Sequence, residues 1–244
     1  MLENIAFTCR VLSVISPIGN GEPTHVLPEM IKKSSDHYLL AALSLGAILT
    51  ILASIRFLDE KIAIGVMHLL KSNHVLHSAT SKIPDTLLGL VCIATAVMWL
   101  AYIIRSRYKG SAAQLRFLQL AATAVPVAYL LKEFLQLGFG RTNTRLWLAS
   151  GGPLQFNWFN GAGIGCFPSG HMTVFAAFGV AIWYIYPRYG RTTSLGLVLL
   201  GTALIATDYH FLSDVIAGAY VGFLVTYGIR YFLQRCGAKL WALQ

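Results

Sequence analysis

The stretch CFPSGHMTVFAAFGVAIWYIYPRYGRTTSLGLVLLGTALIATDYHFLSDVIAGAYVGFLVTYGIRYFLQ, residues 166–234, decides the fold class. It holds three apolar runs, about 171–187, 192–210 and 213–234, joined by very short polar breaks. Its ionisable residues gather near the run ends: His171, Arg188, Arg191, Asp208, His210, Asp214 and Arg230. A bilayer core takes about 20 apolar residues per helix, and in lipid an open strand would leave its backbone unpaired. Working outward, three further runs of this kind lie at about 37–57, 85–104 and 115–137. The reading is an all-α, polytopic membrane protein with six transmembrane helices. An N-terminal cytoplasmic or interfacial segment 1–36 precedes the membrane domain 37–234, and a cytoplasmic tail 235–244 follows it.

Composition agrees. Of 244 residues, 56% are apolar and 12% charged, with a mean hydropathy of +0.62, whereas a soluble domain is about 25% charged. An ordinary soluble enzyme, a disordered chain and a coiled coil are excluded. The net charge of +9 belongs to cytoplasmic loops and anionic lipid rather than to nucleic acid, so no nucleic-acid partner is expected. With the N-terminus inside, the cytoplasmic side takes 12 of the 19 basic residues, which favours both termini inside. The cysteines, Cys9, Cys92, Cys166 and Cys236, form no CxxC pair, which argues against a disulfide framework or a zinc site. Residues 1–36 lack a cleavable signal pattern, so the first span is expected to act as its own targeting signal.

Two connections on the outer side are long, 58–84 and 138–170. The first contains KIAIGVMHLLK, 61–71, with Ile62, Val66, Leu69 and Leu70 at helical spacing, and predicts a short helix on the membrane surface. His68, His74 and His77 in this connection lack nearby carboxylates and read as solvated loop residues. The second is rich in Gly, Asn and aromatics. Polar groups from four separate helix ends converge on this side. They are Lys132 and Glu133, the loop residues Arg141 and Arg145, Pro168-Ser169-Gly170-His171, then Asp208 and His210, and finally Ser213 and Asp214. Ionisable groups at such depth are costly and usually functional. Several cations with two histidines imply an anionic substrate. Arg offers a planar fork and Lys a point charge to phosphate oxygens, and a helix start at Ser169-Gly170 adds backbone donors. One histidine could attack phosphorus while the other protonates the leaving oxygen. His210 and Asp214 are four apart, the spacing at which a carboxylate reaches an imidazole on a helix.

CFPSGHMTVF at 166–175 and HFLSDVIAG at 210–218 resemble the second and third motifs of the type 2 phosphatidic acid phosphatase (PAP2) superfamily. FGRTNTRLW at 139–147 resembles its first motif region. The resemblance covers about 130–222, and its most specific part is PSGH with HxxxD placed 39 residues after its histidine. It implies a PAP2-like helical core with His210 as a nucleophile that becomes phosphohistidine, Asp214 orienting it, and His171 as general acid. It further implies that Lys132 and either Arg141 or Arg145 hold phosphate oxygens, with Ser169 and Gly170 assisting. No metal and no cofactor are required. Two departures stand out. Lys132 precedes Arg141 by nine and Arg145 by thirteen, with Gln136 where a lysine fits the FGRT spacing. The arginine usual six residues before the nucleophile is Leu204. Asp208 reads as a second carboxylate beside the site, paired with an arginine or with Lys132. Gly218 and Gly222 form a GxxxG pair suited to close helix packing.

The resemblance therefore implies an integral-membrane lipid phosphatase of a bacterial inner membrane, with its site facing the periplasm. Its substrate would be a lipid phosphomonoester or pyrophosphate of the lipid A, undecaprenyl diphosphate or phosphatidylglycerol phosphate type, with a lean to lipid A. A phosphotransferase using the same histidine, and a non-catalytic scaffold or transporter, are the alternatives.

Overall fold

A computed structural model describes residues 26–70, 87–108, 110–151, 154, 156–160 and 165–235. Most of segment 1–36, the tail from 236, and His74 and His77 lie outside the described residues. The chain divides into two compact units, Met1–Gly46 and Ala47–Gln244. The first contributes the start of helix α1, Val26–Ala53, whose residues Tyr38, Leu39, Leu43 and Leu45 are exposed apolar groups.

In the second unit a π-helical turn, Ser54–Leu58, continues from α1 into α2, Asp59–Leu70. The Asp59 N–H donates to Ser54 O, five residues back. This wider turn stacks Asp59 over Ser54, and both are buried. Such π turns often mark functional places. Helix α2 covers residues 61–70 of the stretch read as a surface helix; its inward residues are Asp59 and Ala63, Ile62 and Val66 are half-buried, and Leu69 is 74% exposed.

Then come α3 (Leu87–Arg107), α4 (Ala112–Phe139), the short α5 (Thr144–Ser150), α6 (Gly170–Ile185), α7 (Gly190–Ala206) and α8 (Leu212–Arg235). Each of the six apolar runs carries a helix. Among the described residues, four helical stretches, Tyr38–Leu69, Gly89–Arg107, Ala112–Phe139 and Leu212–Arg235, are long and apolar enough to cross a membrane. Helices α6 and α7 have 16 and 17 residues and fall short of that length. Helix α7 ends at Ala206, before the expected boundary at 210, because Thr207–His210 turn back, with Asp208 at φ 52°. The Tyr209 and His210 N–H groups both donate to Leu204 O, closing the helix end.

Small residues set the packing that builds the site. A Cβ at Gly218 would lie 2.6 Å from Ser169 O, and one at Gly222 would lie 2.8 Å from Ala177 N. The GxxxG pair thus lets α8 lie directly on α6, as expected of small-residue helix interfaces. Thr226 Oγ1 donates to Ala177 O at 3.0 Å one turn further on. On α4 the inward stripe Ala121, Val125, Ala128 and Lys132 follows the helical period. Ala121 and Val125 of this stripe pack in one cluster with Val174 and Ala181 of α6 and Val91 of α3. Leu204 is buried with Met172 and Val215, so that position supplies apolar packing rather than a cation.

Candidate active site

Ser169 caps α6, its Oγ accepting from Met172 N–H, and its own N–H donates to Asp214 O at 2.9 Å. The peptide before Pro168 is cis. These contacts set the start of α6 against the start of α8. There Asp214, third residue of α8, reaches back to accept the Phe211 N–H at 3.0 Å. This is the acidic half of a capping box. His210, two residues before α8, has its Nδ1 3.6 Å from Asp214 Oδ2 and 2.9 Å from Cys166 Sγ. The Cys166 thiol donates to the same Asp214 oxygen at 3.1 Å.

The other Asp214 oxygen meets Arg141. Its Nη1 donates to Asp214 Oδ1 at 2.5 Å and to Ser213 Oγ at 2.6 Å, and its Nη2 donates to Asp59 Oδ2 at 2.7 Å. Asp59 also accepts from Ser213 N–H at 3.0 Å and from Ser213 Oγ at 2.5 Å. The Arg141 side chain is 0% exposed, with its guanidinium 4.3 Å from the Phe211 ring centre. Burial alone would lower its pKa; the Asp214 and Asp59 carboxylates outweigh that and hold it above its ordinary value. The Cys166 thiol is pushed well above the ordinary range by burial, and then by the Asp214 charge. An isolated guanidinium would be costly here, and its two carboxylates are what make the burial tolerable.

Arg141, one of the two arginines expected at the phosphate, has no exposed surface, and its Nη1 and Nη2 serve Asp59, Asp214 and Ser213. Arg145 differs: it is partly exposed on α5, stacks 5.3 Å from the Tyr209 ring centre, and donates from Nη2 to Thr207 O at 2.9 Å. Tyr209 in turn meets His171 at 5.7 Å and His210 at 5.0 Å, edge-on in both cases. Asp208 is buried in the turn just before it.

Lys132 is 8% exposed and lies over the start of α6. A Cβ on Gly170 would come within 3.3 Å of its Nζ. A side chain at 170 would crowd the ammonium, which has to give way by a few tenths of an ångström beside the first N–H groups of α6. Lys132 Nζ is 2.7 Å from Glu133 Oε1 and 3.3 Å from Gln136 Oε1. Gln136 Nε2 donates to Pro168 O at 2.9 Å. Gln136 thus ties the lysine to the PSGH segment.

The structure brings His171, His210, Asp214, Lys132, Ser169 and Gly170 to one end of the helix bundle. Asp59, Cys166 and Tyr209 are the neighbours that spacing did not single out. Among the described residues, Cys166, His210 and Asp214 are the group whose donor atoms converge within 4.8 Å, close enough to hold a metal ion. The Arg141 cation on Asp214 opposes a divalent charge there.

Motifs, geometry and family agree. The family profile described as the PAP2 superfamily matches residues 117–238, half of the chain. The chain belongs to the PAP2 superfamily. It is similar to a lipid A 1-phosphatase of Rhizobium etli, 34% identical over 87 residues, which are 35% of this chain and 38% of the relative. It spans well under half the length of that relative. Among solved structures it is similar to a transmembrane PAP2-type phosphatidylglycerolphosphate phosphatase from Bacillus subtilis. That match has 20% identity and a TM-score of 0.41, over 80% of this chain and 96% of the other. The PAP2 match takes in Lys132, Arg141, Arg145, the PSGH segment and the HxxxD segment.

Proposed function

We propose that this PAP2 protein is a metal-independent membrane phosphatase that removes phosphate from a lipid through a phosphohistidine on His210. The observation that carries this reading is the engagement of His210 Nδ1 by Cys166 and Asp214, which leaves Nε2 as the reactive nitrogen. Nε2 attacks phosphorus and the bond from phosphorus to the lipid oxygen breaks. His171, across the Tyr209 ring, gives its proton to that oxygen, and the alcohol or phosphate leaves. Water then attacks the phosphohistidine with deprotonated His171 taking its proton, and inorganic phosphate departs. Asp214 stabilises the imidazolium formed in the first step. Lys132, Arg145 and the N–H groups at the start of α6 hold the phosphoryl oxygens, as phosphoryl transfer demands.

Charge geometry favours Arg145 over Arg141 as the arginine at the phosphate. Arg141, kept cationic between two carboxylates, braces Asp214. The named Rhizobium relative supports a lipid A type of phosphomonoester as first substrate. The apolar helices around the site favour a lipid whose head group enters from the bilayer. We place the protein in a bacterial inner membrane with six spans and with this end facing the periplasm, on the basic-residue bias. A phosphotransferase is the second reading, favoured by a nucleophile only 6% exposed to water. Purified protein is to be incubated, with EDTA, with lipid A, undecaprenyl diphosphate, phosphatidylglycerol phosphate and phosphatidic acid. Phosphate release from one lipid, absent in His210→Ala, is expected. Release only when an acceptor lipid is added, and then on the acceptor, would favour the transferase.

A further inference from the structure

Cys166 has no part in the reaction as written, yet it is the group closest to the nucleophile's Nδ1. The gap from Nδ1 to Asp214 Oδ2 is 3.6 Å, too long for a good hydrogen bond. The thiol fills that gap with two short legs, 2.9 Å to His210 Nδ1 and 3.1 Å to Asp214 Oδ2. We propose that Cys166 is a positioning residue for the PAP2 nucleophile, relaying His210 Nδ1–H through its thiol to the Asp214 carboxylate.

Proton counting supports the relay. A thiol carries one proton, and the charged Asp214 Oδ2 at 3.1 Å is a stronger acceptor for it than Tyr209 O at 3.9 Å. The sulfur is then an acceptor toward His210, so Nδ1 must carry the ring proton and Nε2 the lone pair. That is the tautomer needed to attack phosphorus. The thiol itself is held in place. Cys166 N–H donates to Arg141 O at 2.9 Å. Burial and the neighbouring carboxylate keep the thiol protonated, as a relay requires.

The inference rests on His210 being the nucleophile, and the test separates the two. Wild type, Cys166→Ser, Cys166→Ala and His210→Ala are compared for kcat, KM and the pH dependence of kcat/KM, on the lipid that releases phosphate with EDTA present. The charged and titratable groups around the imidazole stay constant in the cysteine variants. They are Asp214 on α8, Arg141 with Asp59 behind it, His171 on α6 with Lys132 beside it, and Tyr209 with Arg145. The serine hydroxyl keeps the donor and acceptor, so kcat within about threefold of wild type is expected. Alanine lets the imidazole close on Asp214 directly and moves Nε2 by a substantial part of an ångström. Misplacement of that order costs about 100-fold. The expected result is a fall of about 30- to 100-fold in kcat with KM within twofold. The pH dependence of kcat/KM should change in Cys166→Ala and stay as in wild type in Cys166→Ser. Cys166→Ala with kcat and pH profile within twofold of wild type, while His210→Ala is inactive, would overturn the relay. An active His210→Ala would overturn the nucleophile and the relay together. Should Cys166→Ala not fold, Cys166→Ser decides alone, and a loss beyond tenfold in folded protein contradicts the proposal.

Discussion

The two sides of the site are built differently. On the α8 side, Asp214, Arg141, Asp59, Ser213 and Cys166 are all buried, and each makes two or more contacts with the others or with His210. On the α4 and α5 side, Lys132 pairs with the half-exposed Glu133, and the partly exposed Arg145 stacks on the Tyr209 ring and donates to Thr207 O. The first side is closed and ties its guanidinium to two carboxylates; the second presents a partly exposed guanidinium and an ammonium beside the start of α6. A nucleophile gains from the first kind of surroundings, because its geometry is fixed before the reaction. A phosphate site gains from the second, because a cation fully committed to carboxylates has little left for a ligand.

The comparison can be broken in several ways. His210→Ala should cost the most, at least about 1,000-fold in kcat as for other lost nucleophiles, with the melting temperature in detergent nearly unchanged. Residual activity above one per cent would remove the nucleophile from the closed side. Asp59→Ala leaves Arg141 short of one carboxylate, and breaking a buried pair costs about 3–5 kcal/mol. A large fall in melting temperature is expected, with lower activity following from it. A stable Asp59→Ala protein with normal turnover would show that the closed side is not braced through Arg141.

Lys132→Ala and Arg145→Ala should leave stability nearly intact and lower kcat/KM about 100- to 1,000-fold each, as for deleted oxyanion donors. A comparable fall in melting temperature would mean that these cations serve the fold. The smallest effect is on the thiol. Because its pKa is raised, the thiolate is scarce below the usual thiol range, and the proton is lost only as pH rises well beyond it. Peptide mapping after iodoacetamide treatment at pH 8 should find Cys166 unmodified in folded protein. Modification as fast as in denatured protein would contradict the closed arrangement.

Much of this was legible in one dimension. Apolar runs mark the helices because lipid leaves the backbone no alternative, and Gly218 and Gly222 mark the α6–α8 contact because only glycine permits it. His210 and Asp214 are local, four residues apart on one helix start. Their link to His171 and Lys132 rested on several helix ends pointing the same way. The partners of Arg141 were not legible. Asp59 lies 82 residues before it and Asp214 lies 73 after, so a crossing of helices rather than a spacing chooses between a buried ion pair and a phosphate. Asp59 sat in FLDEK, where it reads as one loop charge among others, and only the π turn at 54–58 turns it inward. Cys166 was hidden for the same reason, since its distance to His210 is set by the Ser169–Asp214 contact.

The central claim is that phosphate passes through His210 without a metal. The most direct measurement is rapid quenching of the protein with radiolabelled lipid phosphate in EDTA, followed by mapping of the labelled peptide. The account predicts an acid-labile, alkali-stable phosphoryl group on the peptide containing His210, formed and lost at the rate of turnover and absent in His210→Ala. Turnover with no labelled protein at any quench time, or abolished by EDTA and restored by a divalent cation, would contradict it.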